Sequence, residues 1–119
     1  MNFLGHVNLF RGRVEEGKIC FAEMAYDAPA HAPTSAEAVM VFVRPHDLDV
    51  GTQRNGHASF AATIVRVYSA GPNVRLELIA DCGDQIYAEL PQERFRALAV
   101  GQGSRVFVTP REIKVFAES

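Results

Sequence analysis

Hydrophobic positions in this chain recur mostly at every second residue, the period of strands, and turn residues interrupt them at short intervals. Val74-Arg75-Leu76-Glu77-Leu78 alternates cleanly and predicts a strand with Val74, Leu76 and Leu78 inward and Arg75 and Glu77 in water. After a turn at Cys82-Gly83-Asp84, the residues Ile86, Ala88 and Leu90 form the inward set of the next strand. Residues 7–14 and 19–22 flank Glu15-Glu16-Gly17-Lys18, a polar link with glycine that predicts a hairpin. The longest strand is expected over residues 58–68, which are rich in β-branched and aromatic side chains, with a turn at 69–73. Two more strands are expected at 105–108 and 113–116, split by Thr109-Pro110-Arg111. Residues 24–35 hold Pro29 and Pro33 without periodicity and predict a mobile loop. A polar loop follows at 51–57.

Residues 37–43 carry the unbroken apolar run Val39-Met40-Val41-Phe42-Val43, which predicts a strand buried on both faces. The run stops at Arg44-Pro45-His46-Asp47, and an alternating beat, Leu48-Asp49-Val50, resumes. Proline fixes φ near −65° and suits the second position of a type I turn. The residue before it is pushed to extended geometry, which fits Arg44 at a strand end. Pro45 and Asp47 are therefore read as a structural corner between two strands, with Leu48 and Val50 inward and Asp49 outward. An ion pair from Arg44 to Asp47 or Asp49 across the corner is expected to contribute little if exposed.

One helix is expected near residues 91–98, with Pro91 at its first position and Gly101 ending it in a left-handed conformation. Seven or eight short strands with one short helix predict an all-β fold, a small closed or half-closed barrel. At 119 residues the chain has the size of a single domain, 1–119.

Charge and candidate chemistry narrow the function mainly by exclusion. Net charge is −2 with basic residues scattered, so no phosphate-binding face is announced. Phe60, Tyr68 and Tyr87 lie on expected strands but are not interleaved with basic residues, which argues against nucleic acid. Residues 51–59 have the two-glycine spacing of a P-loop, yet His57 and Ala58 stand where Lys and a hydroxyl residue are required. His46, Asp47 and Asp49 could form a small oxygen and nitrogen cluster, but neighbours in an extended chain point to opposite faces, and no metal is expected. There is no Gly-x-Ser-x-Gly elbow, and no catalytic residue is assigned. Cys20 and Cys82 are read as two small buried residues of a reducing compartment. Residues 1–6 lack the charged and apolar regions of a signal peptide, and the apolar start, "NFLGHVNLF", reads like the middle of a longer chain.

The corner also carries a resemblance. "FVRPHDLDV" resembles the signature in the C-terminal domain of the ATP-binding subunits of sulfate/thiosulfate-import ABC transporters. "NFLGHVNLFRGRV" is similar to the segment leading out of the ATPase domain in that family, with His6 where Asn or a similar polar residue is expected. "ATIVRVYSAGPNVRLEL" and "GDQIYAELPQERFRALAVGQGSRVFVTP" resemble the body and end of a TOBE (transport-associated OB) domain. The resemblance implies an OB-like barrel, a regulatory or interaction domain on the cytoplasmic face of the membrane. Its partners would be its own ATPase domain, a second ATP-binding subunit and, indirectly, the permease. No cofactor belongs to this chain, since ATP and magnesium would bind in the upstream ATPase domain. Related barrels can bind oxyanions, and Arg44 with His46 is the cluster to test for that. Phe3, Leu4, Leu9 and Phe10 are read as surplus apolar residues that would pack on the ATPase domain. Self-association of the isolated domain is expected to be weak or absent. The alternative is a free-standing barrel for a small oxyanion or nucleic acid.

Overall fold

Ten strands and one helix account for most of the 7–28, 38–53 and 59–117 segments, the residues described by the computed structural model. The first sheet contains β1 (Asn8–Glu15), β2 (Lys18–Phe21), β3 (Met24–Asp27), β4 (Ala38–Val43) and β10 (Lys114–Ala117), in the order β10-β4-β1-β2-β3. The second contains β5 (Leu48–Gly51), β6 (Phe60–Ala70), β7 (Asn73–Ala80), β8 (Gln85–Pro91) and β9 (Arg105–Pro110), in the order β5-β9-β6-β7-β8. All pairings are antiparallel. The inward residues of both sheets form one core, from Phe10, Ile19, Val39 and Val41 to Leu76, Leu78, Ile86 and Val106. The expected all-β class with one short helix is thus the observed one, with ten strands where seven or eight were expected.

The extra strands come from features that composition hides. Residues 24–27, expected in a loop, form β3, because Ala22 and Glu23 both adopt positive φ (52° and 64°) and turn the chain back on β2. Two consecutive positive φ values are the pattern of a type I′ hairpin turn, normally signalled by Asn-Gly, so Ala-Glu gives no warning. Residues 29–35 of that expected loop lie outside the described residues. The strand over 60–70 is bulged between Ile64 and Arg66, and beyond the bulge its side chains turn to solvent. β1 passes close to β2: a Cβ added at Gly12 would stand 2.8 Å from the Cys20 carbonyl oxygen. Glycine at this position lets β2 lie this close to β1.

The helix α1 (Gln92–Leu98) differs at both ends from expectation. Pro91 is its N-cap rather than its first residue, since it remains extended (ψ 148°) and paired with Asn73 as the last residue of β8. Ala99, not Gly101, takes the left-handed position (φ 56°). Phe95 and Leu98 pack on the core. The cysteines also depart from expectation: Cys82 is exposed in the β7–β8 turn, and Cys20 is partly exposed on the outward face of β2. Both are free thiols.

Candidate functional site

The chain crosses between the sheets twice, and both crossings meet at one corner. β4 runs through a single 3-10 turn at Pro45–Asp47 into β5 of the other sheet, and β9 returns through residues 111–113 into β10. Since β4 pairs with β10 and β5 with β9, the two crossings form one antiparallel ribbon bent over the edge of the domain. Arg44 is extended (φ −74°, ψ 149°), and the Asp47 N–H donates to its carbonyl at 2.9 Å. The Arg111 N–H donates to the Asp47 carbonyl at 2.7 Å, and the Arg111 guanidinium donates to the His46 carbonyl. The corner is stapled through backbone oxygens, so its side chains are left to face outward.

Pro45→Ala keeps this geometry and adds freedom to the unfolded chain. It is expected to lower stability by about 0.5–1 kcal/mol, read as a lower urea midpoint with an unchanged m value.

Beside the corner lies an open groove of about 770 Å³ on the outer face of the first sheet, lined by Val7, Met40, Phe42, Lys114 and Phe116 together with Arg44, His46, Asp47 and Glu112. Its floor exists because β4 alternates. Val39, Val41 and Val43 are buried, whereas Phe42 is 37% exposed and Met40 half-buried. The expectation of burial on both faces is therefore corrected: the unbroken apolar run supplies a core face and an outer face, and no layer of described residues covers the second. Phe42 and Phe116 meet edge to face across β4 and β10, with centroids 5.3 Å apart and planes at 89°.

The structure brings Arg44, His46 and Asp47 to this groove but not into the expected ion pairs. Asp47 lies 3.8 Å from His46 Nε2, and Asp49 lies 3.9 Å from Arg94. Among the described residues Arg44 has no ion-pair partner. Lys114, missed in the sequence because it is far from the corner in the chain, stands opposite Phe42 in the ladder and lines the same groove. Among the described residues, no three His, Cys, Asp or Glu side chains gather into a metal-binding group. Phe60 is in the core, while Tyr68 is exposed and Tyr87 half-buried on the outer face of the second sheet, so these three do not form one stacking surface. Leu9 is exposed, but Phe10 is buried against Phe21 and Phe60, with ring centroids 5.0 and 6.0 Å away. Phe10 thus leaves the expected surplus patch, and Phe3 and Leu4 lie outside the described residues.

A second functional candidate, missed in sequence, is Asn8. It is 2% exposed. Its Nδ2 donates to the Tyr87 carbonyl and its Oδ1 accepts from the Tyr87 N–H, both at 2.7 Å. Its amide thus supplies one residue of strand pairing between β1 and the edge of β8, joining the two sheets on the groove's side of the molecule.

On the outer face of the second sheet, Asn73 Nδ2 and Arg75 Nη2 donate to Glu89 at 2.9 and 3.1 Å. The Asn73 hydrogen bond, then Arg75, holds the Glu89 carboxyl below the usual glutamate range. A depressed folded pKa gives stability that is present above the unfolded value, roughly 4.3, and lost as pH falls through the folded one. Glu89→Gln is accordingly expected to lower the neutral plateau and so flatten part of the acid limb of a stability-versus-pH curve, leaving stability at the acid end nearly unchanged, as thermal melts between acid and neutral pH would show.

Two antiparallel sheets bent around one core, with a short helix, define a small OB-type β domain. The chain belongs to the TOBE-like regulatory domains found at the C-terminus of sulfate/thiosulfate import ATP-binding proteins. Residues 8–50 match the CysA C-terminal regulatory domain, and residues 54–111 match the TOBE-like domain. The sulfate/thiosulfate import ATP-binding protein CysA of Nitrosomonas europaea is 42% identical over 117 residues, covering 96% of this chain and 32% of that protein. Its counterpart in Bacillus cereus is 37% identical over 116 residues, covering 97% and 32%. The chain therefore spans about a third of the length of the curated relatives it matches. The same fold occurs in the cytoplasmic molybdate-binding protein ModG, solved with molybdate bound, at a TM-score of 0.75 and 16% identity, covering 99% of this chain and all of that one.

Proposed function

We propose that this chain serves as the regulatory and interaction domain of the ATP-binding subunit of a sulfate/thiosulfate importer, with no catalysis of its own. The observation that carries the reading is the 42% identity along nearly the whole chain to the corresponding third of such a subunit. The physical features agree with it. The corner is held through its backbone oxygens, and the outer face of the first sheet offers apolar side chains to a neighbour. The partners are the ATPase domain of the same subunit, a second ATP-binding subunit and, indirectly, the permease. ATP and magnesium would bind in the ATPase domain, and the whole assembly would sit on the cytoplasmic face of the membrane. No described helix is long and apolar enough to cross it.

The test is the reading frame upstream of Met1. The expected result is an in-frame P-loop ATPase domain, and an in-frame stop codon directly before Met1 would overturn the proposal. The chain alone is expected to release no phosphate from ATP with magnesium above background.

A second reading, a barrel that binds a small oxyanion, is favoured by the position of Arg44, His46 and Lys114 at one groove and by the molybdate held by a protein of the same fold. Calorimetric titration with sulfate and molybdate checks it: binding lost in Arg44→Ala supports it, and no heat at millimolar anion opposes it.

A further inference from the structure

We infer that the groove beside the corner docks an acidic amphipathic segment of a partner protein. The inference rests on the interaction-domain reading and names the chemistry of what that face receives. Two observations combine. The floor is apolar and open, with Phe116 53% exposed, Val7 53% exposed and Phe42 held edge to face against Phe116. Contiguous apolar surface of this kind, rimmed by charge, marks an interaction site. The rim carries Arg44 and Lys114, and among the described residues neither side chain has a hydrogen-bond or ion-pair partner. Five other cations, Arg13, Lys18, Arg75, Arg94 and Arg105, each face a carboxylate within the ion-pair distance.

Arg44 and Lys114 share one groove on a chain whose net charge is −2. Of the two carboxylates at the groove, Asp47 leans on His46, and Glu112 stands at the rim. A ligand of carboxylates alone would leave the aromatic floor wet. An uncharged apolar segment would desolvate Arg44 and Lys114 without return. A segment with an apolar stripe flanked by Asp or Glu satisfies both, in the manner of an amphipathic helix laid into a groove. A second copy of this chain would bring Arg44 and Lys114 along with Asp47 and Glu112, so it matches the cationic rim less well than a segment carrying only Asp or Glu.

The test uses this chain and two fluorescent peptides of about 14 residues with Leu at helical spacing, one flanked by Glu and one by Lys. The Glu peptide is expected to bind with a Kd on the order of 10–100 µM, and the Lys peptide at least roughly tenfold more weakly. Backbone amide shifts should concentrate on β4, β10 and the corner. Phe116→Ser should weaken the Glu peptide, and Arg44→Glu with Lys114→Glu should reverse the preference so that the Lys peptide binds better. These side chains lie outside the core, and unchanged thermal midpoints would verify folding. Should Phe116→Ser lower the midpoint, the charge-reversed variant alone decides.

Equal affinity for the two peptides overturns the proposal, as do amide shifts elsewhere on the domain. A concentration-dependent dimer abolished by Phe116→Ser would make a second copy the occupant and overturn it as well. Sulfate binding at Arg44 without peptide binding would assign the cations to a small oxyanion, with the same consequence. None of these outcomes depends on the upstream reading frame, so failure here and failure of the importer assignment are separate results.

Discussion

Phe10→Ala should destabilise the domain by about 3–5 kcal/mol, while Leu9→Ala, one residue away, should cost less than about 1 kcal/mol. Phe10 is 2% exposed and joins the sheets through its contacts with Phe21 on β2 and Phe60 on β6. Removing its ring leaves a cavity between two sheets that cannot both collapse onto it. Leu9 points to the outer face and is 52% exposed. A domain of this size has a total stability of roughly 5–15 kcal/mol, so Phe10→Ala should shift the urea midpoint strongly or leave the chain partly unfolded. Equal effects at positions 9 and 10 would mean that β1 is paired one residue out of register.

Asn8→Leu should cost about 2–4 kcal/mol despite its similar size and greater hydrophobicity. The Tyr87 N–H donates to the Asn8 Oδ1, and its carbonyl accepts from the Asn8 Nδ2. Leucine would break both hydrogen bonds in a partly buried position, and a hydrogen bond lost from one side costs more than one removed from both. Hydrogen exchange should report the same change locally, as faster exchange of the Tyr87 amide. Asn8→Asp separates the two bonds: it keeps an acceptor for the Tyr87 N–H but turns an oxygen toward the Tyr87 carbonyl. That variant should recover stability in acid, where the protonated carboxyl can donate. If Asn8→Leu proves neutral, the clasp does not hold the sheets together.

The strands were legible in the sequence wherever one face is buried and the other wet. Val74, Leu76 and Leu78 are all in the core, as are Ile86, Ala88 and Leu90, because the strand period of two transfers directly into burial. Leu48 and Val50 are buried too, and the hairpin at 15–18 was marked by its glycine. The family was legible at the Arg44–Asp47 corner and its flanks, where short stretches have a distinctive order of residue types. Local signals failed where the determining partner is remote. The run 39–43 contains only apolar residues, so nothing within it says that Met40 and Phe42 will face outward. That depends on the second sheet covering one side of β4 only. Asn8 reads as an ordinary polar residue at a strand end until β8, far along the chain, places the Tyr87 peptide against it. Lys114 joins Arg44 because the ribbon of β9 and β10 folds over the same corner as β4 and β5. The sequence by itself therefore determined the all-β class, the inward residues of most strands and the family. Only the tertiary structure decided which apolar residues remain outside, which amide closes the sheets and which cations share a groove, because each of these is set by pairings between segments distant in the chain.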